Sequence, residues 1–317
     1  MSANANLHKA KDAKNDEFYT QLTDVSKELM HYKQHFKDKI VLCNCDDPTW
    51  SAFWKYFHLN FSALGLKKLI STHYDKTQPT YKMEYTGGDD NDIEVGLKTT
   101  LEGNGDFRNQ ECLDLLDEAD IVVTNPPFSL FREYVAVLME HKKKFLIIGN
   151  KNCITYKEMF PLIRNNMLWI GVTPMSYDML FIVPKSMESD LLSKSKSGSA
   201  YRIIDGQIYA RSASIWFTNL DHKKRHEKLI LWKNYISEEY PTYDDYNAIN
   251  VDKVSDIPVD YDGVMGVPIT FLDKYNPDQF EIIWLDGTDT SQWYGSGPAI
   301  NGKKKYRRLF IRKKAGT

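Results

Sequence analysis

The sequence predicts an α/β protein in two parts: a parallel sheet with helices on both faces over residues 1–150, then an irregular α+β domain over residues 151–317. Three observations carry this reading. Short apolar runs such as KIVLCNC, DIVVT and KFLII alternate with segments of helical period, the pattern of parallel strands joined by crossover helices. Beyond Lys151 that rhythm stops, and short aromatic-rich segments alternate with turns at Ser197-Gly198, Asp262-Gly263, Gly295-Ser296-Gly297 and Asn301-Gly302. The chain has 317 residues, about two domains' worth, and its 42 % apolar content is enough for a sizeable core and excludes general disorder.

Taken in order, the polar lead over residues 1–15 is expected to be flexible, and Glu17 to Phe36 reads as a helix through Leu22, Val25, Leu29 and Tyr32. Lys39 to Cys45 is a buried strand. Asp46-Asp47-Pro48-Thr49-Trp50-Ser51 is a turn ending in an N-cap residue, before Phe53, Trp54, Phe57 and Phe61 at helical spacing. Gly65 stops that helix and Leu66 to Tyr74 is the next strand. Thr80 to Lys98 alternates around Gly87-Gly88-Asp89-Asp90, which predicts a hairpin making an excursion from the sheet. Asn109 to Ala119 fits one helix and Asp120 to Thr124 a third strand. Ser129 is read as the cap of a helix through Leu130, Tyr134, Val137 and Leu138, and Lys144 to Ile148 returns as a strand. Ser186 to Ser199 is read as a mobile surface loop.

Charge is unevenly spread. The chain carries −2 overall, yet Lys303 to Lys314 (KKKYRRLFIRKK) holds eight basic residues and no acid. A basic end on an acidic body suits a polyanion, because single-sign clusters bind phosphates through counterion release; a solvated tail has the same composition. Asp75 to Asp120, with thirteen acids against four bases, would repel a nucleic-acid backbone. No stretch reaches the roughly 20 apolar residues of a membrane span, and the N-terminus lacks a signal-peptide core, so the expected location is intracellular. Cys43 and Cys45 are spaced by one residue and are read as packing on one strand face; no metal is expected.

The chemistry centres on Asn125-Pro126-Pro127-Phe128, directly after the third strand. Two prolines remove two backbone donors. The Asn125 side-chain oxygen and the Pro126 carbonyl then form a set of acceptors without a competing N–H, with the Phe128 ring as a flat apolar face. That arrangement suits a conjugated amine carrying two N–H donors. Its lone pair is delocalised, and two accepted hydrogen bonds favour a tetrahedral nitrogen whose lone pair can attack an electrophilic methyl group. Strand ends at the carboxyl edge of an open parallel sheet are also where ligands bind. A methyl donor would occupy the same edge: Cys45-Asp46-Asp47-Pro48 offers carboxylates and helix N–H groups to the amino-acid end of S-adenosylmethionine, with Asp47 meeting its ammonium. Asp106 would accept from the adenine amino group, with Phe107 stacking. Taken alone, a structural turn accounts for either segment equally well.

These residues resemble the motifs of adenine-N6 methyltransferases. Asn125-Pro126-Pro127-Phe128 looks like their catalytic motif, Gly105-Asp106-Phe107 their adenine-contacting motif, and Asp16-Glu17-Phe18-Tyr19-Thr20 the upstream motif that helps hold the methionine portion. The order is that of gamma-type DNA amino-methyltransferases. More narrowly, Cys43 to Pro48, Asn219-Leu220-Asp221-His222, Met265 to Phe271 and Tyr275 to Phe280 are similar to the EcoRI-type adenine-specific DNA methyltransferases, over roughly residues 15–313. The resemblance implies a Rossmann-like methyltransferase sheet binding S-adenosylmethionine, without a metal, followed by a target-recognition domain. It also implies double-stranded DNA as partner, a cytoplasmic location in a bacterium or in phage infection, and compatibility with a companion restriction endonuclease. Two departures stand out: Thr49-Trp50-Ser51 replaces the usual Gly-x-Gly, and the acid expected on the ribose hydroxyls is represented only by Asp75.

Methylation of a protein glutamine amide or of an RNA base uses the same acceptor logic and remains open, as does a DNA-binding protein with a degenerate fold. Lys303, Lys304, Lys305, Arg307 and Arg308 are the candidate phosphate contacts. Asn165, Arg202, Arg211, Asn219, Lys223, Lys224 and Arg225 are polar or basic groups from which base contacts could come, most of them ordinary surface residues.

Overall fold

The structure is a computed structural model that describes residues 19–75, 77–183, 185–194, 197–288 and 298–316. Phe18, the polar lead and the Gly295-Ser296-Gly297 turn lie outside the described residues. The chain forms two compact units, Met1–Lys151 with Ser176–Leu220, and Asn152–Met175 with Asp221–Thr317. The first unit thus takes in Ser176–Leu220, 45 residues that a single boundary at 150 assigns to the second part.

In the first unit, β1 (Tyr19–Thr20) precedes α1 (Leu22–Leu29), β2 (Ile40–Cys43), α2 (Ala52–Leu59) and β3 (Lys68–Thr72). Then come β4 (Tyr81–Tyr85), β5 (Leu97–Thr100), α3 (Gln110–Glu118), β6 (Ile121–Thr124), α4 (Phe131–Glu140) and β7 (Lys144–Asn150). The returning segment adds β8 (Leu180–Ile182), α5 (Lys185–Lys194), β9 (Tyr201–Ile204), β10 (Gln207–Arg211) and β11 (Ser214–Thr218). Within this unit the main sheet runs β5-β4-β3-β2-β6-β7-β11. Its centre, β3-β2-β6-β7, is parallel; β4 and β5 on one side and β11 on the other are antiparallel.

Successive strand residues point to opposite faces, and β11 shows both faces covered: Trp216 meets Phe53 of α2 at 6.0 Å between ring centroids, and its neighbour Phe217 meets Phe131 of α4 at 5.2 Å. Gly149 on β7 makes room for this, since a Cβ there would lie 2.4 Å from the Phe131 ring. The parallel centre with helices on both faces agrees with the sequence reading. The predicted hairpin forms, with β4 antiparallel to β5, but it is no excursion: β4 also pairs with β3 and extends the sheet, because its register with Leu69 to Thr72 continues the ladder.

Other differences are local. Tyr19–Thr20 pairs antiparallel with β8 and the helix begins only at Leu22, because a partner distant in sequence claims those two backbones. Phe128–Leu130 is a 3-10 turn and α4 starts at Phe131, so Ser129 caps nothing; the prolines before it fix an extended backbone (Pro127 ψ 123°). Lys185–Lys194 is a helix where the sequence predicts a loop, with no strong apolar face to announce it. Cys43 is buried, whereas Cys45 has φ 61° beyond the strand and does not share its face.

The second unit holds a four-stranded sheet of β12 (Ile249–Asn250), β13 (Met265–Pro268), β14 (Phe280–Leu285) and β15 (Arg308–Lys313), in the order β12-β13-β15-β14. Leu309, Phe310 and Ile311 are all buried because β15 is a central strand with Trp284 stacked on Phe310 at 4.6 Å. The basic segment is therefore half structural.

Candidate active site

The carboxyl ends of β2, β3 and β6 lie side by side, and the predicted loops leave from them. The four residues of β6 are fully covered, and its last side chain, Thr124, donates a short hydrogen bond to the Asn44 carbonyl beyond β2. Tyr134 of α4 donates another to Asn44 Oδ1, so Asn44 is clamped from the neighbouring strand and from the helix above it. Sequence reasoning passes over Asn44 inside Cys-Asn-Cys, and takes Tyr134 only as part of an apolar face.

Asn125 follows immediately. Its Oδ1 is buried and accepts no hydrogen bond among the described residues. An orphaned buried acceptor costs free energy that a folded protein seldom leaves uncompensated, and a donor from outside the chain would satisfy it. Pro126 is buried and Pro127 half-buried. Pro127 accepts from Leu130 N–H at 3.0 Å, which turns the chain so that Phe128 is half-exposed, with no ring contact among the described residues.

Beyond β2, the Ser71 hydroxyl of β3 donates to the Asp46 carbonyl at 2.5 Å, and Asp46 N–H donates to Thr72 O at 3.2 Å, which ties the two strand ends together. Asp46 is only 5 % exposed. Asp47 Oδ1 accepts from Thr49 N–H (2.9 Å), the Thr49 hydroxyl (2.8 Å) and the Tyr81 hydroxyl (2.7 Å), while Oδ2 lies 3.6 Å from His73 Nε2. Burial and the neighbouring Asp47 carboxylate push the Tyr81 phenol well above its ordinary pKa, so it stays a donor. Ser51 is the predicted N-cap, its hydroxyl accepting from Phe53 and Trp54 N–H at 3.1 Å each. Trp50 and Ser51 N–H are taken by the Asp47 carbonyl. Most of the helix N–H groups expected to face a ligand are therefore occupied by the protein.

The segment after β3 is met by the Gly103 to Phe107 loop. Gly105 has φ +74°, and a Cβ there would sit 2.2 Å from the His73 carbonyl oxygen. Asp75 N–H donates to Asn104 O at 3.2 Å. Asp75 Oδ1 itself caps a turn through Thr77 N–H, the Thr77 hydroxyl and Gln78 N–H. Asp106 is held by Arg108 through both oxygens (2.9 and 2.7 Å), and the guanidinium lowers its pKa. Phe107 is 3 % exposed and packs edge-on against Tyr134 at 4.9 Å, so its ring faces the core and not an open cleft.

Further orphaned atoms accompany Asn125 Oδ1: Thr72 Oγ1 and His73 Nδ1 at the end of β3, and Thr20 Oγ1 beside β1, each buried without a partner among the described residues. Thr72 and His73 have no signal in the sequence beyond their place after an apolar run. Donors and acceptors, with carboxylates nearby and no bonds to one another, fit a polar nucleoside and amino-acid ligand. Thr20 is on β1; of Tyr19 only the backbone is described, and Phe18 is not.

The other predicted groups are placed as follows. In the first unit, Asn219 staples β7 by accepting from Phe145 N–H (2.8 Å) and donating to Lys143 O (2.9 Å), and Arg202 and Arg211 both pair with Asp178 at 2.6 Å. In the second unit, Lys303, Lys304 and Arg307 are exposed and Lys305 is half-buried, but Arg308 is 8 % exposed, bonded to Asp252 (2.8 Å) and Asn250 (3.2 Å). Arg308 thus differs from its exposed neighbours in being buried and paired within the unit.

A mixed sheet with a parallel centre, an Asn-Pro-Pro-Phe loop at its middle and an orphaned acceptor there are consistent with an amino-methyltransferase. Residues 6–314 match the family model of the adenine-specific methyltransferase EcoRI, and the chain belongs to that family of adenine-specific DNA methyltransferases. It is 46 % identical to the Type II methyltransferase M.EcoRI of Escherichia coli, over 99 % of this chain and 98 % of that one. It is 39 % identical to the Type II methyltransferase M.MpnI of Mycoplasma pneumoniae and 38 % to the Type II methyltransferase M.MgeORF184P of Mycoplasma genitalium, each over 97 % of this chain and 98 % of the relative. No solved structure matches the chain.

Proposed function

We propose that the protein methylates the exocyclic N6 amine of an adenine flipped out of double-stranded DNA, with S-adenosylmethionine as donor. The observation that carries this reading is the buried, unbonded Oδ1 of Asn125 beside two residues without N–H groups. The amine cannot be reached inside a duplex, so the base must leave the stack. Asn125 Oδ1 and the Pro126 carbonyl accept its two hydrogens, which draws the nitrogen lone pair out of conjugation, and Phe128 supplies a face for the base. Bound S-adenosylmethionine supplies a methyl group on positively charged sulfur. Asp46, Asp47, Thr72 and His73 are the groups that would hold it, with Cys45 and Pro48 shaping the turn. Asp106 is assigned to its adenine end with Phe107 supporting the loop, Asp75 to the ribose, and Phe18, Tyr19 and Thr20 to the methionine portion.

The first unit then carries catalysis and the second target recognition. Among the described residues no helix is long and apolar enough to cross a membrane, and the proposed location is the cytoplasm, where a companion restriction endonuclease would share the target. Incubation with S-adenosylmethionine labelled in its methyl group, offering plasmid DNA, RNA and protein in parallel, tests the reading. Label is expected in DNA as N6-methyladenine at one sequence motif; label in RNA or in glutamine alone would overturn it.

Phe128→Ala should lose about 1 to 3 kcal/mol of base stacking, measured as weakened capture of a flipped-base probe, whereas Phe128→Tyr keeps a ring and stays active. Equal behaviour of the two variants would make Phe128 a packing residue. Replacing Lys303, Lys304 and Arg307 together by Gln should reduce the slope of log affinity against log salt by roughly 0.9 for each phosphate no longer neutralised, without changing the methylated motif. Arg308 and Lys313 are left intact, since Arg308 is bonded to Asp252 and Lys313 to the Val259 carbonyl. An unchanged slope would assign the loop to solvent.

A further inference from the structure

We propose that Arg225, in the second unit, binds one backbone phosphate of the DNA. The inference rests on the reading that duplex DNA is the substrate. Arg225 is 8 % exposed and lines a cavity with Lys224, Trp169, His222, Asp273 and Tyr275. Its guanidinium lies 3.8 Å from the centroid of the Trp169 ring. One nitrogen, Nη2, donates to the neutral Asn166 amide oxygen at 2.7 Å. Nε is buried and donates to nothing among the described residues.

No carboxylate lies within ion-pair distance of this guanidinium among the described residues. The two nearest acids by charge, Asp221 and Asp278, are engaged by His226 at 2.9 and 3.2 Å. Asp273, the one acid lining the cavity, accepts from Met175 N–H at 2.9 Å. Burying a cation without a counter-ion is costly, and burial does lower the pKa of Arg225. A phosphate oxygen at the unbonded Nε would remove that cost, and a planar guanidinium stacked on Trp169 is the kind of group that recognises phosphate. Lys224 lines the same cavity and donates to Val172 O at 2.8 Å, so it adds positive charge beside the guanidinium.

The sequence neighbourhood supports an anionic ligand, since Lys223, Lys224, Arg225, His226 and Lys228 surround a single acid, Glu227. The shared chemistry is a phosphate oxyanion, from the DNA backbone or from free phosphate, and the test separates the two.

Binding of the full-length protein to a duplex carrying its motif would be measured for wild type, Arg225→Gln and Arg225→Lys, after thermal melts and cofactor titration show each variant folded. Arg225→Gln should weaken binding roughly tenfold and reduce the salt slope by about 0.9. Arg225→Lys should restore the slope but not the affinity. Duplexes with single methylphosphonate substitutions then locate the contact: one position should weaken wild type and leave Arg225→Gln unaffected. The assignment is overturned if a folded Arg225→Gln keeps the wild-type slope. It is equally overturned if every methylphosphonate costs both proteins the same, or if inorganic phosphate raises the melting temperature of wild type alone without any methylphosphonate sensitivity. Absence of methyl transfer to DNA by wild type would instead overturn the functional reading itself.

Discussion

Asn125→Ala is expected to lower the single-turnover rate of methyl transfer by about 10² to 10³, the usual cost of removing one aimed hydrogen-bond partner from a transition state. S-adenosylmethionine affinity, read by calorimetric titration, should stay within a few-fold, because Asn125 is assigned to the amine that receives the methyl and not to the donor. Stability gives a second, opposite signature. Oδ1 of Asn125 makes no hydrogen bond among the described residues, so truncation removes a buried unsatisfied acceptor and sacrifices no internal bond. The melting temperature should therefore hold or rise. A rate near wild type would sink the catalytic assignment, and a large loss of stability would make Asn125 a structural residue.

Much of this site is legible in the sequence for a physical reason: motifs built on proline and on apolar runs act through the backbone. Asn-Pro-Pro-Phe restricts its own loop geometry, and KIVLCNC and DIVVT become β2 and β6 because short β-branched-rich apolar runs fit a strand buried on both faces. Ser51 is legible as an N-cap since that role depends on residues two and three places ahead. What stays hidden depends on partners distant in sequence. Tyr19–Thr20 is a strand only because β8, some 160 residues later, lies beside it. Asn44 matters through Tyr134, 90 residues on, and the direction of Phe107 is likewise set by Tyr134. Arg308 reads as one more cation in a basic run, and only its bonds to Asp252 and Asn250 separate it from its exposed neighbours.

Gly105→Ala is expected to be the most damaging small substitution near the edge proposed for the cofactor. The residue has φ +74°, which costs a side chain about 1 to 2 kcal/mol by itself. The added Cβ would also stand 2.2 Å from the His73 carbonyl oxygen and 3.1 Å from Tyr74 Cα, both backbone atoms that cannot swing aside. Gly206→Ala separates the two effects: φ is +79°, but nothing lies within 4 Å of the added atom. In a unit of this size 1 kcal/mol corresponds to about 2 to 4 °C, so Gly206→Ala should lower the melting temperature by about 4 °C and Gly105→Ala by roughly 10 °C. The clash can be relieved only by moving the loop off the end of β3, which shifts His73 and Asp75 relative to Asp47 and Asp106. Cofactor affinity should accordingly fall in Gly105→Ala and remain unchanged in Gly206→Ala. If both variants melt together and bind S-adenosylmethionine equally, the close approach of the Gly105 loop to β3 is not what holds the cofactor edge in place.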